Sequence, residues 1–166
     1  MRSTALRSLL CAAAAVIMSA PLAEGQAVVQ ASSCSYARCA LRLEADPNVP
    51  NLSRLVQGID ARPVATFGLL VPTIPLFVST TDSIRLPYET FRRHDAAFRV
   101  LIGVSLAATL ASGAMLGSHG PSNGPSFAAT LGVDVGLITA AFVEGSRAAS
   151  ALQTAIDRYN ARLPDR

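Results

Sequence analysis

The sequence predicts a mainly α membrane protein, in which a long antiparallel transmembrane helical hairpin follows a small disulfide-closed, partly β segment. Two apolar segments near the C-terminus, Val100–Gly117 and Phe127–Val143, are the first observation. The first has 18 residues without a charge, which is long enough to cross a bilayer as a helix. A turn rich in Gly, Pro and Ser joins the two segments. Charged residues make up only 15% of the chain, against about 25% in soluble domains.

The N-terminus has the pattern of an export signal. Two arginines precede a short apolar run, Leu9–Ser19, and small residues follow a proline after it. This pattern predicts a signal peptide over residues 1–27, cleaved after either Gly25 or Ala27. The alternative interpretation is an uncleaved anchor helix. Cleavage would also remove Cys11 and leave two cysteines in the chain.

Cys34 and Cys39 form a C-x4-C pair in the sequence CSYARC. In an exported chain such a pair predicts a disulfide more readily than a metal site, because oxidising compartments preserve disulfides. The sequence has no nearby Cys or His pair to complete a zinc shell, so it predicts no metal and no cofactor. A redox role is the open alternative, although the spacing differs from C-x-x-C.

Residues 28–81 are predicted to be an exported, partly β segment. Cys39–Glu44 alternates apolar and polar residues as a half-buried strand does, and Leu55–Asp60 returns toward a strand with a turn at Gly58. Pro63–Thr81 is ambiguous, because its 19 uncharged residues could form a third spanning helix. Its two central prolines favour two short strands, VATFGLL and LFVST, around a bend.

Residues 82–166 are predicted to form the helical hairpin, with membrane-spanning parts near 98–117 and 125–144. Both helices are expected to continue beyond the bilayer as arms, and Pro87 suits the first turn of the first arm. The positive-inside rule places these arginine-rich arms in the cytoplasm, whereas a cleaved signal with two crossings places them outside. The number of crossings and the side of the C-terminus therefore stay open.

One register of the two helices brings small residues together. It pairs Gly103, Ala107 and Ala111 with Ala140, Gly136 and Gly132, respectively. Such a seam allows two helix backbones to approach closely in a membrane. The same register places Asp134 opposite Thr109, with Ser105 nearby, on a different face of each helix. Only one of these faces can be the contact within the chain, so the other is available to a second protomer.

Asp134 is an acidic residue in the middle of the second apolar segment. An acid at mid-bilayer costs about 2.5–3.5 kcal/mol on insertion scales, so such residues are functional candidates by default. A protonated Asp134 that is bonded to Thr109 would hold the two helices together. The alternative is a role in a proton or ion path.

The sequence contains no recognisable catalytic constellation, so it predicts no enzyme. His94 and His119 bracket the first apolar segment and lie too far apart to share a site. A net charge of +3 without a basic stripe argues against a nucleic-acid partner. The predicted partners are membrane lipid and, through one helix face, a second copy of the chain.

The predicted function is a structural or interaction role in the cell envelope. The chain is expected in the cell membrane, with its N-terminal segment exported. The alternative function is that of a small oligomeric proton- or ion-conducting membrane protein that uses Asp134.

Two short stretches of the chain have a resemblance to other proteins. They are Cys34 and Cys39 with the following Ala40–Arg42, and Tyr159–Asn160 in the tail. They resemble a group of uncharacterised exported bacterial membrane proteins with an N-terminal C-x4-C motif and a C-terminal helical hairpin. No activity is attached to that group. The resemblance implies export and membrane placement only.

Overall fold

A computed structural model describes residues 34–46, 52–71, 73, 76–77, 80–119 and 124–164. The predicted signal peptide, residues 1–27, lies outside the described residues. The chain divides into two compact units, Met1–Leu76 with Leu163–Arg166, and Phe77–Arg162. The described part is mostly helical and includes a three-stranded antiparallel sheet.

The first unit contains the sheet. After the single helical turn α1 (Tyr36–Cys39), strands β1 (Leu41–Ala45), β2 (Ser53–Gln57) and β3 (Arg62–Phe67) follow along the chain. They pair in the order β1-β2-β3, so each strand lies beside its neighbour in sequence. A small, partly β segment therefore precedes the long helices, as the sequence predicts.

The central strand β2 has both faces shielded from solvent, since the consecutive residues Leu55 and Val56 are both buried. The register of β2 against β3 shifts between these two residues. Leu55 lies opposite Ala65, whereas Val56 lies opposite Pro63, which leaves one extra residue on β3. Such a bulge at an edge strand is where a sheet accommodates a proline, because the missing N–H is not needed there.

The turn α1 is held in place from two sides. Gly58 follows β2 with φ +70°, and a Cβ there would lie 2.6 Å from the carbonyl oxygen of Arg38. Only glycine fits that position, and its N–H donates to the carbonyl of Ala40 at 2.8 Å. On the other side, Cys34 and Cys39 lie at disulfide distance, with their Cα atoms 5.9 Å apart. This geometry agrees with the predicted pairing of the two cysteines.

The stretch Pro63–Thr81 does not form a third spanning helix. Its first residues belong to β3, because β2 offers them a hydrogen-bonding partner. The chain then turns at once, and the Val71 N–H donates to the Gly68 carbonyl at 3.2 Å. The second strand expected here, LFVST, is absent where the structure describes it, since Leu76 and Phe77 lie in a turn and the next two residues lie outside the description.

The second unit consists mainly of two long helices, α2 (Asp82–His119) and α3 (Gly124–Asn160). At about 1.5 Å per residue, their 38 and 37 residues correspond to roughly 57 and 55 Å. The hydrocarbon core of a bilayer is about 30 Å thick, so both helices are longer than one crossing requires. Each predicted apolar segment is therefore continuous with a helical arm.

The helices α2 and α3 pack side by side and run in opposite directions. His94 of α2 contacts Glu144 of α3, and further along α2 Ser105 contacts the earlier residue Asp134. The arms enclose a core of aromatic and aliphatic side chains. The buried members are Ile84, Tyr88 and Phe91 of α2 and Ala148, Leu152, Ala155, Ile156 and Tyr159 of α3. Phe77 belongs to this core, with its ring centroid 5.0 Å from that of Tyr88 and 5.9 Å from that of Tyr159.

Pro87 lies in the second turn of α2 and not in the first, because the helix begins at Asp82. A proline has no N–H to donate to the carbonyl four residues earlier, which here is that of Ser83. Arg158 of α3 replaces the missing donor, with its Nη1 2.9 Å from the Ser83 carbonyl oxygen. Arg162 adds a hydrogen bond from Nη2 to the Ser83 hydroxyl at 2.7 Å. The free ends of the two helices are therefore linked by hydrogen bonds.

Replacement of Arg158 by Met should lower the free energy of unfolding by about 1 kcal/mol, because the Ser83 carbonyl loses its donor. In a Pro87→Ala background the helix N–H is restored, so the same replacement should have a clearly smaller effect. A double-mutant cycle of thermal unfolding in detergent micelles measures this difference. The control is Arg162→Met, whose effect should not depend on residue 87. Equal effects of Arg158→Met in both backgrounds would contradict the account.

The phenol of Tyr159 is fully buried, and no described residue forms a hydrogen bond with its hydroxyl. Burial disfavours the phenolate and raises the pKa of Tyr159 above its ordinary value of 10.0. The folded state therefore holds this proton more tightly than the unfolded state does. This contribution to stability is complete below the ordinary pKa and is lost as the pH rises through the raised one.

Tyr159→Phe should remove that alkaline loss of stability. At neutral pH the variant should be as stable as the wild type or more stable by about 1 kcal/mol, because a buried hydroxyl without a partner is removed. Thermal unfolding, followed by circular dichroism from neutral pH to above the ordinary tyrosine pKa, measures both effects. Tyr36→Phe in the first unit is the control and should retain the alkaline loss. An unchanged alkaline profile in Tyr159→Phe would refute the assignment.

Candidate functional site

Three polar side chains meet between the apolar parts of α2 and α3. Asp134 of α3 accepts a short hydrogen bond from the Ser105 hydroxyl at Oδ1 and another from the Thr109 hydroxyl, 2.6 Å away, at Oδ2. The Thr109 hydroxyl also lies 3.0 Å from the Ser105 carbonyl oxygen, so two acceptors share its hydrogen. Both oxygens of the carboxylate therefore have a donor from the same chain.

Helical spacing explains why two hydroxyls reach one carboxylate. Ser105 and Thr109 are four residues apart and thus lie one turn apart on the same face of α2. Ser105 is only 5% exposed, and a buried hydroxyl requires a hydrogen-bonding partner. Asp134 provides the acceptor, and α2 in return provides two hydroxyl donors. The three residues therefore satisfy one another.

The helix face that carries Asp134 is internal, and the face with the small residues points away from the partner helix. A Cβ at Gly103, Gly132 or Gly136 would meet nothing within 4 Å, and Ala107, Ala111 and Ala140 are exposed. Of the two faces that the sequence left open, the Asp134 face therefore makes the contact within the chain, and the described small residues do not pack against one another there. A carboxylate without donors costs more free energy than close approach of glycine backbones gains, so the polar face turns inward.

A second polar cluster joins the helices where the arms begin, and sequence reasoning missed it. His94 Nδ1 lies 2.5 Å from Glu144 Oε2, and Arg147 Nη1 donates to the other carboxylate oxygen at 3.0 Å. The register derived from the small residues places Ala149 opposite His94, five residues or about 1.4 helical turns away from Glu144. The available signal was that His94 and Glu144 are complementary groups at neighbouring levels of the two helices.

An apolar contact separates the two polar clusters. The ring of Phe98 lies against Gly145, where a Cβ would be 3.4 Å from the ring carbon Cδ2. His94 and Ser105 are about 16 Å apart along α2, given the rise per residue. Phe98 and Gly145 carry no polar side-chain atom, so the row of polar groups between the helices is interrupted at this level.

The chemistry of the site consists of hydrogen bonds and charge pairing between two helices. Among the described residues, no three His, Cys, Asp or Glu side chains lie close enough together to hold a metal ion. No protein-family model, no curated protein and no solved structure matches the chain. The resemblance of the cysteine motif and the tail to exported membrane proteins therefore stays a prediction.

Two substitutions of Asp134 test whether its hydrogen-bond acceptor, and not the size of its side chain, stabilises the helix pair. Asp134→Asn retains an acceptor oxygen and should change thermal stability little. Asp134→Leu leaves the hydroxyls of Ser105 and Thr109 without that acceptor and should destabilise the helix pair by about 1–2 kcal/mol. Thermal unfolding in detergent micelles measures both effects.

The matched control combines Asp134→Leu with Ser105→Ala and Thr109→Val. Removal of every partner should recover most of the lost stability, because no buried polar group is then left unpaired. If Asp134→Leu costs the same with and without the two hydroxyls, the hydrogen bonds do not hold the helices together.

Proposed function

We propose that the chain is an exported integral membrane protein with a structural or interaction role in the cell envelope. In this proposal, the parts of α2 and α3 near 98–117 and 125–144 cross the bilayer as a transmembrane hairpin. Both arms then emerge on the same side. The observation that carries the proposal is a change in side-chain exposure along the same two helices.

Most large apolar side chains are buried in the arms, whereas most of those in the apolar segments are exposed. Tyr88 and Ile156 in the arms are 2% and 1% exposed, whereas Leu110 and Phe142 are both 73% exposed. Other outward-facing side chains of the apolar segments are Val100, Val104, Leu106, Leu131, Val133, Val135 and Ile138. A continuous apolar surface of this kind is unfavourable in water and suits contact with lipid.

Length and composition give weaker support. One stretch of the described helices, Asp82–Ala114, is long and apolar enough to cross a membrane by these criteria alone. The second crossing is supported by the outward apolar side chains of α3 and by the hydrogen bonds of Asp134. A carboxyl group that is bonded at both oxygens inside a helix pair is less costly at bilayer depth than an unpaired one.

Export is supported by the two cysteines. Disulfides persist in oxidising compartments and are rare where thiols are kept reduced. Cys34 and Cys39 lie at disulfide distance, which suits a first unit on the exported side of the membrane. Together with the N-terminal signal pattern, this favours placement of the sheet outside the cell membrane.

The geometry favours a structural role for Asp134 over a proton or ion path. Hydroxyl groups of its own chain engage both carboxylate oxygens. The apolar contact of Phe98 with Gly145 interrupts the polar row toward Glu144, whereas a path needs successive polar groups or water. A small oligomeric proton- or ion-conducting protein is thus the second candidate, supported by the acid at this depth.

Self-association forms part of the proposed interaction role. Gly132 and Gly136 have the spacing that allows close approach of membrane helices, and both have open space beside them. Gly103 on α2 is equally open. The proposed partners are therefore membrane lipid and a second copy of the chain.

Accessibility labelling tests the two-crossing arrangement. In a background without the native cysteines, Thr90→Cys and Ser150→Cys in the arms should react with an impermeant reagent from the same side of the membrane. Ser122→Cys, between α2 and α3 in the sequence, should react from the other side. Reaction of residues 90 and 150 from opposite sides would refute the arrangement.

Proton flux through the protein in reconstituted vesicles tests the second candidate. If the wild type conducts protons and Asp134→Asn abolishes the flux, the conducting role replaces the structural one.

A further inference from the structure

Most arginines of the second unit have partners within the chain. Arg85 pairs with Asp82 at 2.7 Å, Arg99 with Asp95 at 2.9 Å and Arg147 with Glu144 at 3.0 Å, and Arg158 and Arg162 both donate to Ser83. Arg92 and Arg93 differ from all of these. Both are exposed, and neither forms an ion pair or hydrogen bond with any residue that the structure describes.

Their position along α2 corresponds to the outer edge of the headgroup layer of a bilayer. The proposed crossing begins near residue 98, so Arg93 and Arg92 lie about 7–9 Å beyond it along the helix axis. The polar layer on each side of a bilayer is about 5–8 Å thick. A long arginine side chain can extend along the helix toward or away from the hydrocarbon, so its guanidinium group reaches the level of the phosphates.

The surrounding charges do not neutralise these two arginines. On α2, Asp95 already binds Arg99, and Glu89 lies 3.7 Å from Arg85. On α3, the contact of His94 with Glu144 places the residues after Glu144 at this level. The sequence there contains Arg147 and no acid before Asp157. Two positive charges therefore remain uncompensated on the outer surface of the arms.

We propose that Arg92 and Arg93 bind the phosphate groups of anionic phospholipids in the leaflet from which the arms emerge. This inference rests on the membrane placement proposed above. The planar guanidinium group donates two parallel hydrogen bonds to phosphate oxygens, and the net negative charge of an anionic headgroup attracts the two arginines further. Successive helix residues are about 100° apart, so the two groups spread around the outer face and each engages a phosphate.

The test uses the full chain in vesicles of phosphatidylcholine that contain a minority of phosphatidylglycerol. Electron spin resonance of spin-labelled lipids measures the preference of the protein for phosphatidylglycerol over phosphatidylcholine. The wild type should prefer phosphatidylglycerol, and the preference should fall about fivefold for each of Arg92→Gln and Arg93→Gln. Arg85→Gln is the matched control, because Arg85 already has acidic partners in α2, and it should retain the preference.

Two further measurements do not depend on those variants. Raised salt should weaken the wild-type preference, because exposed charges are screened. Arg92→Lys with Arg93→Lys should retain much of the preference, since the charges remain. An inserted wild-type protein without preference for phosphatidylglycerol, or a double glutamine variant with the full wild-type preference, overturns this inference alone. A wild-type protein that alkaline washing strips from the vesicles overturns the membrane placement as well.

Discussion

The carboxylate of Asp134 determines how the two long helices face each other. A carboxyl group in an apolar helix needs donors, and the described structure supplies them from two hydroxyls one turn apart on α2. Once that face is internal, the small residues must lie outside, and the apolar side chains of both helices surround the pair. The apolar outer surface of this part therefore follows from the need of the Asp134 carboxylate for hydrogen-bond donors.

Polar links at three levels define the alignment of the helix pair. At the free ends, Arg158 donates to the Ser83 carbonyl that Pro87 leaves without a backbone donor. At the beginning of the arms, Glu144 contacts His94 and Arg147. Within the apolar part, Asp134 is bonded to hydroxyls of α2. Hydrogen bonds are directional, so these links fix the register of the two helices.

The helices and the cysteine pair could be predicted from the sequence because each has a local signal. Long uncharged stretches, helical spacing and a C-x4-C pair do not depend on the rest of the fold. The inward face could not be predicted, since the glycine face and the Asp134 face are both plausible contacts until their free energies are compared. The His94–Glu144 contact was missed because it joins residues five positions away from the register of the small residues, although that register does match the contacts of Thr109 with Asp134 and of Phe98 with Gly145.

The sheet shows a different limit of sequence reasoning. The strand before Gly58 is indicated by its apolar residues and the turn residue that follows them, but the bulge opposite Leu55 and Val56 depends on the pairing with β3. The stretch after β3 has the composition of a strand and yet turns after Gly68, where the Val71 N–H donates to the Gly68 carbonyl. Local composition therefore does not determine where this strand ends.

Each long helix continues without interruption from its arm into its apolar part. A buried aromatic core and the hydrogen bonds that arginines donate to Ser83 also hold the two arms together. Such a pair behaves as one stiff lever, because the backbone hydrogen bond that Pro87 interrupts lies near the free end of the arm and not where the arm joins the apolar part. If the apolar part crosses a bilayer, a force on the arms would tilt the whole pair and move Asp134 relative to the membrane, while the hydrogen bonds between the helices stay intact.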